Sequence, residues 1–177
     1  MAFDADEKLR EAFRLAAQGV RAGLEWIWAE CARPLHNYAF ALTGSQAEAD
    51  DVLAEVIAAL IAQGPKLARV RQPRAYLFAA VRNEVRYRAR RRARRAPDCI
   101  ADAPNASLPR AEDLAVHEAL MALPVAQREV VVLHIWGGLT FEEVAQAIGV
   151  SPNTAASRYR YALEKLRRLM ADETNER

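Results

Sequence analysis

Asn153, Ser157, Arg160, Glu164 and Arg168 recur at spacings of four and three residues, so on a helix they share one face. That face begins with small hydrogen-bonding groups and continues into cations, a chemistry suited to base edges flanked by phosphates. A second concentration of charge lies between Lys66 and Arg95. There Arg69, Arg71, Arg74, Arg82 and a run of seven arginines from Arg86 to Arg95 stand against a single acid, Glu84. Tyr76, Phe78 and Tyr87 are interleaved with these cations, and aromatic rings beside arginines suit single-stranded nucleic acid, whose bases stack while its phosphates pair. A third group is acidic: Glu48, Asp51 and Glu55, three and four residues apart with Asp50 adjacent, in a stretch from Thr43 to Gln63 that contains no basic residue. Such a stripe is either a solvated face or a docking surface for a basic partner.

The elements that position these groups are helical. Thr140 and Glu143 have the spacing of a capping box, and Phe141, Val144, Ala145 and Ile148 follow as one apolar stripe, predicting a short helix from Thr140 to Ile148. Gly149 then supplies a left-handed turn, Ser151 a cap and Pro152 a first helical position. The next helix has its apolar stripe at Ala155, Tyr159, Ala162, Leu166 and Leu169. Two helices joined by a tight glycine turn, the second with a polar N-terminal face, form the pattern of a helix-turn-helix; a plain helical hairpin with a solvated basic face is the alternative.

Upstream, helical pattern runs over roughly Glu7 to Val20, Leu24 to Leu42, Gln46 to Gln63 and Arg74 to about Arg95, the last entered through Pro73. On the third of these, Val52, Val56, Ala59 and Leu60 form the expected apolar stripe. Residues 96 to 111 contain Pro97, Pro104 and Pro109 with little apolar periodicity and read as a linker. Beyond it come a helix to Leu123, a break at Pro124 and a helix to Trp136.

At 177 residues and 52% hydrophobic, the chain can bury one moderate core or two small ones, and it lacks strand-length alternation. The expected class is therefore all-α, with two small helical domains. The net charge of +2 conceals the segregation just described. Cys31 and Cys99, like His36, His117 and His134, are scattered without metal-ligand or redox spacing, so idle thiols in a reducing compartment are expected and no metal or cofactor is. No Gly-rich phosphate loop or nucleophile elbow is visible, which argues against an enzyme or a small-molecule substrate. No apolar run, Val130 to Leu133 among them, is long enough to span a bilayer, and the acidic N-terminus is unlike a leader, so no membrane insertion and a cytoplasmic location are expected.

The order of these parts, "AEADDVLAEVIAAL", "RAYLFAAVRNEVRYRARRRARR", a Pro-rich linker and "ALPVAQREVVVLHIWGGLTFEEVAQAIGVSPNTAASRYRYALEKL", resembles a minimal sigma-70-family factor of the extracytoplasmic-function group over about residues 20 to 170. The resemblance implies a bacterial subunit that binds core RNA polymerase, recognises promoter DNA at minus-10 and minus-35, and is regulated by an anti-sigma partner. It implies a first domain over residues 1–95, a linker over 96–111 and a second domain over 112–177. By resemblance, Asp50, Asp51 and Glu55 meet polymerase. Arg69, Arg71, Tyr76, Arg82, Asn83, Arg86 and Arg90 hold the minus-10 strand, and Asn153, Thr154, Ser157, Arg158 and Arg160 read minus-35. The chain departs from the family pattern at Tyr87, where an Asp is usual, at Tyr76 and Ile61, where Trp is, at Ala54, where Gln is, and at Ala156, where many members have Lys. A stand-alone helix-turn-helix regulator and an RNA-binding protein using the arginine run are the competing readings.

Overall fold

The computed structural model describes residues 2–95 and 118–175, and every regular element among them is helical. The linker expected over 96–111, together with Cys99 and His117, lies outside the described residues. Helices α1 (Ala2–Ala17), α2 (Arg21–Thr43), α3 (Gln46–Gln63) and α4 (Pro73–Arg95) form the first half, with a 3-10 stretch, Gly64–Arg69, between α3 and α4. A helical turn at 118–121 leads into α5 (Val125–Ile135), α6 (Phe141–Ile148) and α7 (Pro152–Asn175).

Local chemistry explains most of the boundaries. The Ser45 side chain accepts from the Glu48 N–H to start α3, and Thr140 and Glu143 complete the capping box at α6. Gly149 ends α6 at φ 71°, a backbone conformation that strains any residue with a Cβ. Gly23 acts differently, through close approach: a Cβ there would lie 2.5 Å from the Ala12 carbonyl oxygen and 2.6 Å from the Ala16 nitrogen, so only glycine lets α2 pack this closely on α1. Pro34 sits inside α2 without ending it, although it gives no N–H to the helix ladder.

The core is one continuous body rather than two. Leu9, Phe13, Ile27, Tyr38, Val52 and Val81 of the first half are in the same buried cluster as Val130, Leu133, Val144 and Ile148 of the second. The contacts run from α2 to α5 and from α4 to α6. Helix α5 explains this, because Arg128, Glu129, Val130, Val131, Val132 and Leu133 are all buried in succession. A helix buried all round needs neighbours on every side. Val131 turns to Leu123 and Ala162 in a small cluster of the second half, while Val130, Val132 and Leu133 face the main core. On α3 the buried face is Ala49, Val52, Leu53, Val56 and Leu60. Ala59, expected on that stripe, is exposed, because the packing partners are centred on the Leu53 side of the helix.

Candidate nucleic-acid interface

The helix-turn-helix is braced from behind by three rings. His134 stacks on Phe141 with centroids 4.4 Å apart and meets Tyr159 edge-on at 4.9 Å, while its Nδ1–H donates to the Leu139 carbonyl at 2.7 Å. This ties α5, α6 and α7 together at the turn. The Ser151 hydroxyl accepts from the Thr154 N–H at 3.1 Å and lies 2.8 Å from the Thr154 hydroxyl, so the Thr154 side chain serves the helix cap. Ala155 and Ala162 are buried beneath α7, Tyr159 and Leu166 are half-buried, and Asn153 and Arg160 are exposed. Ser157 and Arg158 are half-exposed and make no side-chain hydrogen bond or ion pair among the described residues. The Arg160 guanidinium lies 5.2 Å from the centre of the exposed Tyr161 ring. The outward face of α7 therefore offers a neutral polar start followed by cations, at the end of the helix where unpaired N–H groups also favour an anion.

On α4, Tyr76, Asn83, Tyr87, Arg90 and Arg94 recur at spacings of seven, four, three and four and share one face. Asn83, Arg86 and Arg90 are exposed, and Tyr87 with Arg90, Arg91 and Arg94 lines an open concavity. Tyr87, interleaved with the arginines in the sequence although it departs from the family pattern, belongs with this group, four residues from Asn83 on the same face. Arg71 and half-buried Tyr76 line a separate cleft of about 520 Å³ whose far wall is Gln146 and Ala147 of α6. Exposed Arg69 ends the 3-10 stretch just before it. Phe78 is no platform for a base: it is buried, edge-on to Tyr38 at 5.5 Å.

Arg82 points elsewhere. Its Nε donates to Glu129 Oε1 on α5 at 2.8 Å, with only 17% of the Arg82 side chain and 8% of the Glu129 side chain exposed. The Tyr38 hydroxyl reaches the same oxygen at 3.5 Å. Burial, and after it the Glu129 carboxylate, raises the Tyr38 pKa well above its ordinary value, so this phenol remains a neutral donor.

The acidic stripe of α3 is exposed and is met by α4. Arg88 donates to Asp51 at 3.2 Å, to Glu84 at 2.8 Å and stands 4.0 Å from Glu55, while Arg92 reaches Glu48 at 2.5 Å. The Glu84 hydrogen bond leads the upward shift of the Arg88 pKa. Asp50 contacts His36 Nε2 at 2.9 Å. Asp50, Asp51 and Glu55 thus form one solvent-facing anionic surface whose neighbouring cations lie on its α4 side, with the His36 ring beside Asp50. Cys31 is a half-buried free thiol whose pKa burial pushes up to about 11, which keeps it protonated and unreactive near neutrality. No helix among the described residues is long and apolar enough to cross a membrane.

Two family models match the chain in succession: Sigma-70 region 2 over residues 27–95 and Sigma-70, region 4 over residues 113–166, together well over half its length. The chain belongs to the sigma-70 family. Within that family its likeness runs to the extracytoplasmic-function group. It is 29% identical over 165 residues to the ECF RNA polymerase sigma factor SigL of Mycobacterium tuberculosis, covering 86% of this chain and 91% of that one. Among solved structures, CnrH in complex with the cytosolic domain of CnrY matches with a TM-score of 0.69 and 26% identity, covering 93% of this chain and 98% of that one. The sigma factor RpoE of Bartonella quintana, in complex with the anti-sigma factor NepR, matches the fold with a TM-score of 0.69 at 24% identity, over 83% of this sigma-70-family chain and 96% of its own.

Proposed function

We infer that this chain is a sigma factor, a subunit that binds core RNA polymerase and directs promoter-specific initiation of transcription. The observation that carries this reading is that regions 2 and 4 stand in order on one chain. A stand-alone regulator would need only the helix-turn-helix, and an RNA-binding protein only the arginine run. In this reading residues 1–95 hold polymerase and the minus-10 strand, 96–111 connect, and 112–177 read minus-35. Asp50, Asp51 and Glu55 dock on polymerase. Asn83, Arg86 and Arg90 with Arg69, Arg71 and Tyr76 hold the melted strand, joined by Tyr87 as a stacking surface. Asn153, Ser157, Arg158 and Arg160 face the minus-35 major groove, Thr154 contributing through its cap. The protein works in the cytoplasm, where its polymerase and promoters are, and is not an enzyme. The structural neighbour RpoE, held by the anti-sigma factor NepR, supports a similar partner here.

The recognition helix supplies the test. Ser157→Ala and Arg158→Ala should each weaken minus-35 discrimination, by about 1–3 kcal/mol for a lost bidentate contact and less for a single hydroxyl. Both residues are partly exposed on α7, so the fold should be unaffected. Promoters altered at minus-35 should then be transcribed more nearly alike. Full discrimination by both folded variants would reduce the helix-turn-helix to a structural hairpin.

A further inference from the structure

Arg88 reaches from α4 to the acidic face of α3 at three points. Its Nη1 donates to the Asp51 carboxylate at 3.2 Å, its Nη2 donates to the Asp51 backbone carbonyl at 3.2 Å, and a Glu55 carboxylate oxygen lies 4.0 Å from Nη2. Its Nε donates to Glu84, one turn earlier on α4, at 2.8 Å. Three carboxylates thus surround one guanidinium. Among the described residues, Arg92 reaches the same face only at its edge, through Glu48.

Exposure separates the members of this cluster. The Asp51 and Glu55 side chains are 70% and 63% exposed, against 27% for Arg88 and 22% for Glu84. The two stripe carboxylates therefore face outward, and the guanidinium lies behind them. Its bonds to Glu84 and to the Asp51 backbone carbonyl do not depend on the stripe carboxylates, so a partner that engages those carboxylates leaves the cation in place. Charges this close together are only partly screened, since the Debye length is about 10 Å at about 0.1 M salt. A basic partner at the stripe then meets a like charge directly behind it.

We propose that Arg88 is an internal competitor for the docking stripe: it draws Asp51 and Glu55 toward α4 and lowers the affinity of this face for its basic partner. In the cell it would set how well the chain competes for a limited supply of core RNA polymerase. The proposal rests on the reading that Asp51 and Glu55 dock on polymerase. A cation that only organised the stripe would act with the opposite sign, because carboxylates already pinned in place lose less freedom on docking. The contacts at 3.2 and 4.0 Å are long for charge-assisted bonds, so they order the carboxylates little, while the charge acts over the whole face.

Two substitutions of opposite sign test this. Arg88→Gln removes the charge but keeps an amide able to donate, and Glu84→Gln removes the nearest counter-charge and leaves Arg88 facing the stripe uncompensated. Titrated into purified core RNA polymerase at about 0.1 M salt, Arg88→Gln should bind roughly three- to tenfold more tightly than wild type and Glu84→Gln more weakly. Arg88→Lys, which keeps the charge, should stay near wild type. The gain of Arg88→Gln should shrink at about 0.5 M salt. Circular dichroism checks that each variant is folded. Wild-type or weaker binding by Arg88→Gln, or unchanged binding by Glu84→Gln, would overturn the competition. A fluorescent decalysine peptide supplies a readout that needs no polymerase: the Arg88→Gln chain should bind it more tightly than wild type, and the Asp51→Lys, Glu55→Lys chain least. If wild type binds no polymerase, or the charge-reversed chain binds it normally, the docking reading fails, and the order of decalysine affinities alone decides whether Arg88 opposes a basic partner.

Discussion

Asp51→Lys combined with Glu55→Lys is expected to abolish the complex with core RNA polymerase while leaving the protein folded. Both carboxylates lie on the exposed face of α3, 70% and 63% accessible, one helical turn apart. Their contacts with Arg88, at 3.2 and 4.0 Å, are solvent-screened ion pairs of a kind worth under about 1 kcal/mol each. Arg88 also donates to the Asp51 backbone carbonyl at 3.2 Å and Arg92 to Glu48, contacts the substitutions leave in place, so α3 and α4 should stay together in the variant. Against a basic partner surface, two reversed charges place like against like, which costs several kcal/mol and is enough to lose a nanomolar complex. Pull-down with core polymerase should therefore fail, and promoter-directed transcription with it, while circular dichroism and melting temperature remain near wild type. A double variant that still binds and transcribes would show that polymerase docks elsewhere.

Arg128→Ala should produce the largest loss of stability, about 3 kcal/mol or more. The residue is only 6% exposed. Its guanidinium donates to the carbonyls of Leu120, Met121, Leu123 and Ala41 at 2.8–3.1 Å and to the Met121 sulfur at 3.1 Å. Three of those carbonyls follow from the helical turn at 118–121, and Ala41 is in the last turn of α2. One cation thus satisfies the helix ends that would otherwise bury unpaired acceptors, and favours the negative ends of both dipoles. Desolvation lowers its pKa from the ordinary guanidinium value, and the carbonyl dipoles offset that cost of burial. Urea unfolding should show a fall in midpoint for Arg128→Ala and only partial recovery for Arg128→Lys, whose compact ammonium cannot span the same fork of acceptors. An unchanged midpoint would mean that water replaces the guanidinium at little cost.

The features that could be read from the sequence are those fixed within a few residues. Thr140 with Glu143, Gly149, and Ser151 before Pro152 each act on their immediate neighbours, and all take their expected roles. The same holds for α3, which runs from Gln46 to Gln63 as expected. Features set by tertiary partners were not legible. Gly64 and Pro65 do end α3 at Gln63, but the 3-10 stretch that they open had no signal of its own, Pro65 in its first turn donating no N–H that the turn would miss. Ala59 was placed on the buried stripe because a small apolar residue is compatible with either face, and only the position of α2 and α4 decides between them. Arg82 looked equivalent to its neighbouring arginines until Glu129, 47 residues away, was found beside it. Of the candidate site, Asn83, Arg86 and Arg90 on α4 and Asn153 and Arg160 on α7 are exposed as expected, whereas Arg82 faces the junction and the Thr154 hydroxyl the cap.

The most direct measurement of the central claim is reconstituted transcription with the purified chain, core RNA polymerase and a library of double-stranded promoter fragments. Addition of the chain should make core polymerase initiate on a subset of fragments that share one minus-10 and one minus-35 element at fixed spacing, and changing either element should abolish those transcripts. Core polymerase that neither binds the chain nor initiates selectively in its presence would contradict the account. Protection of a specific duplex by the chain alone, under the same conditions, would identify it as a stand-alone helix-turn-helix regulator.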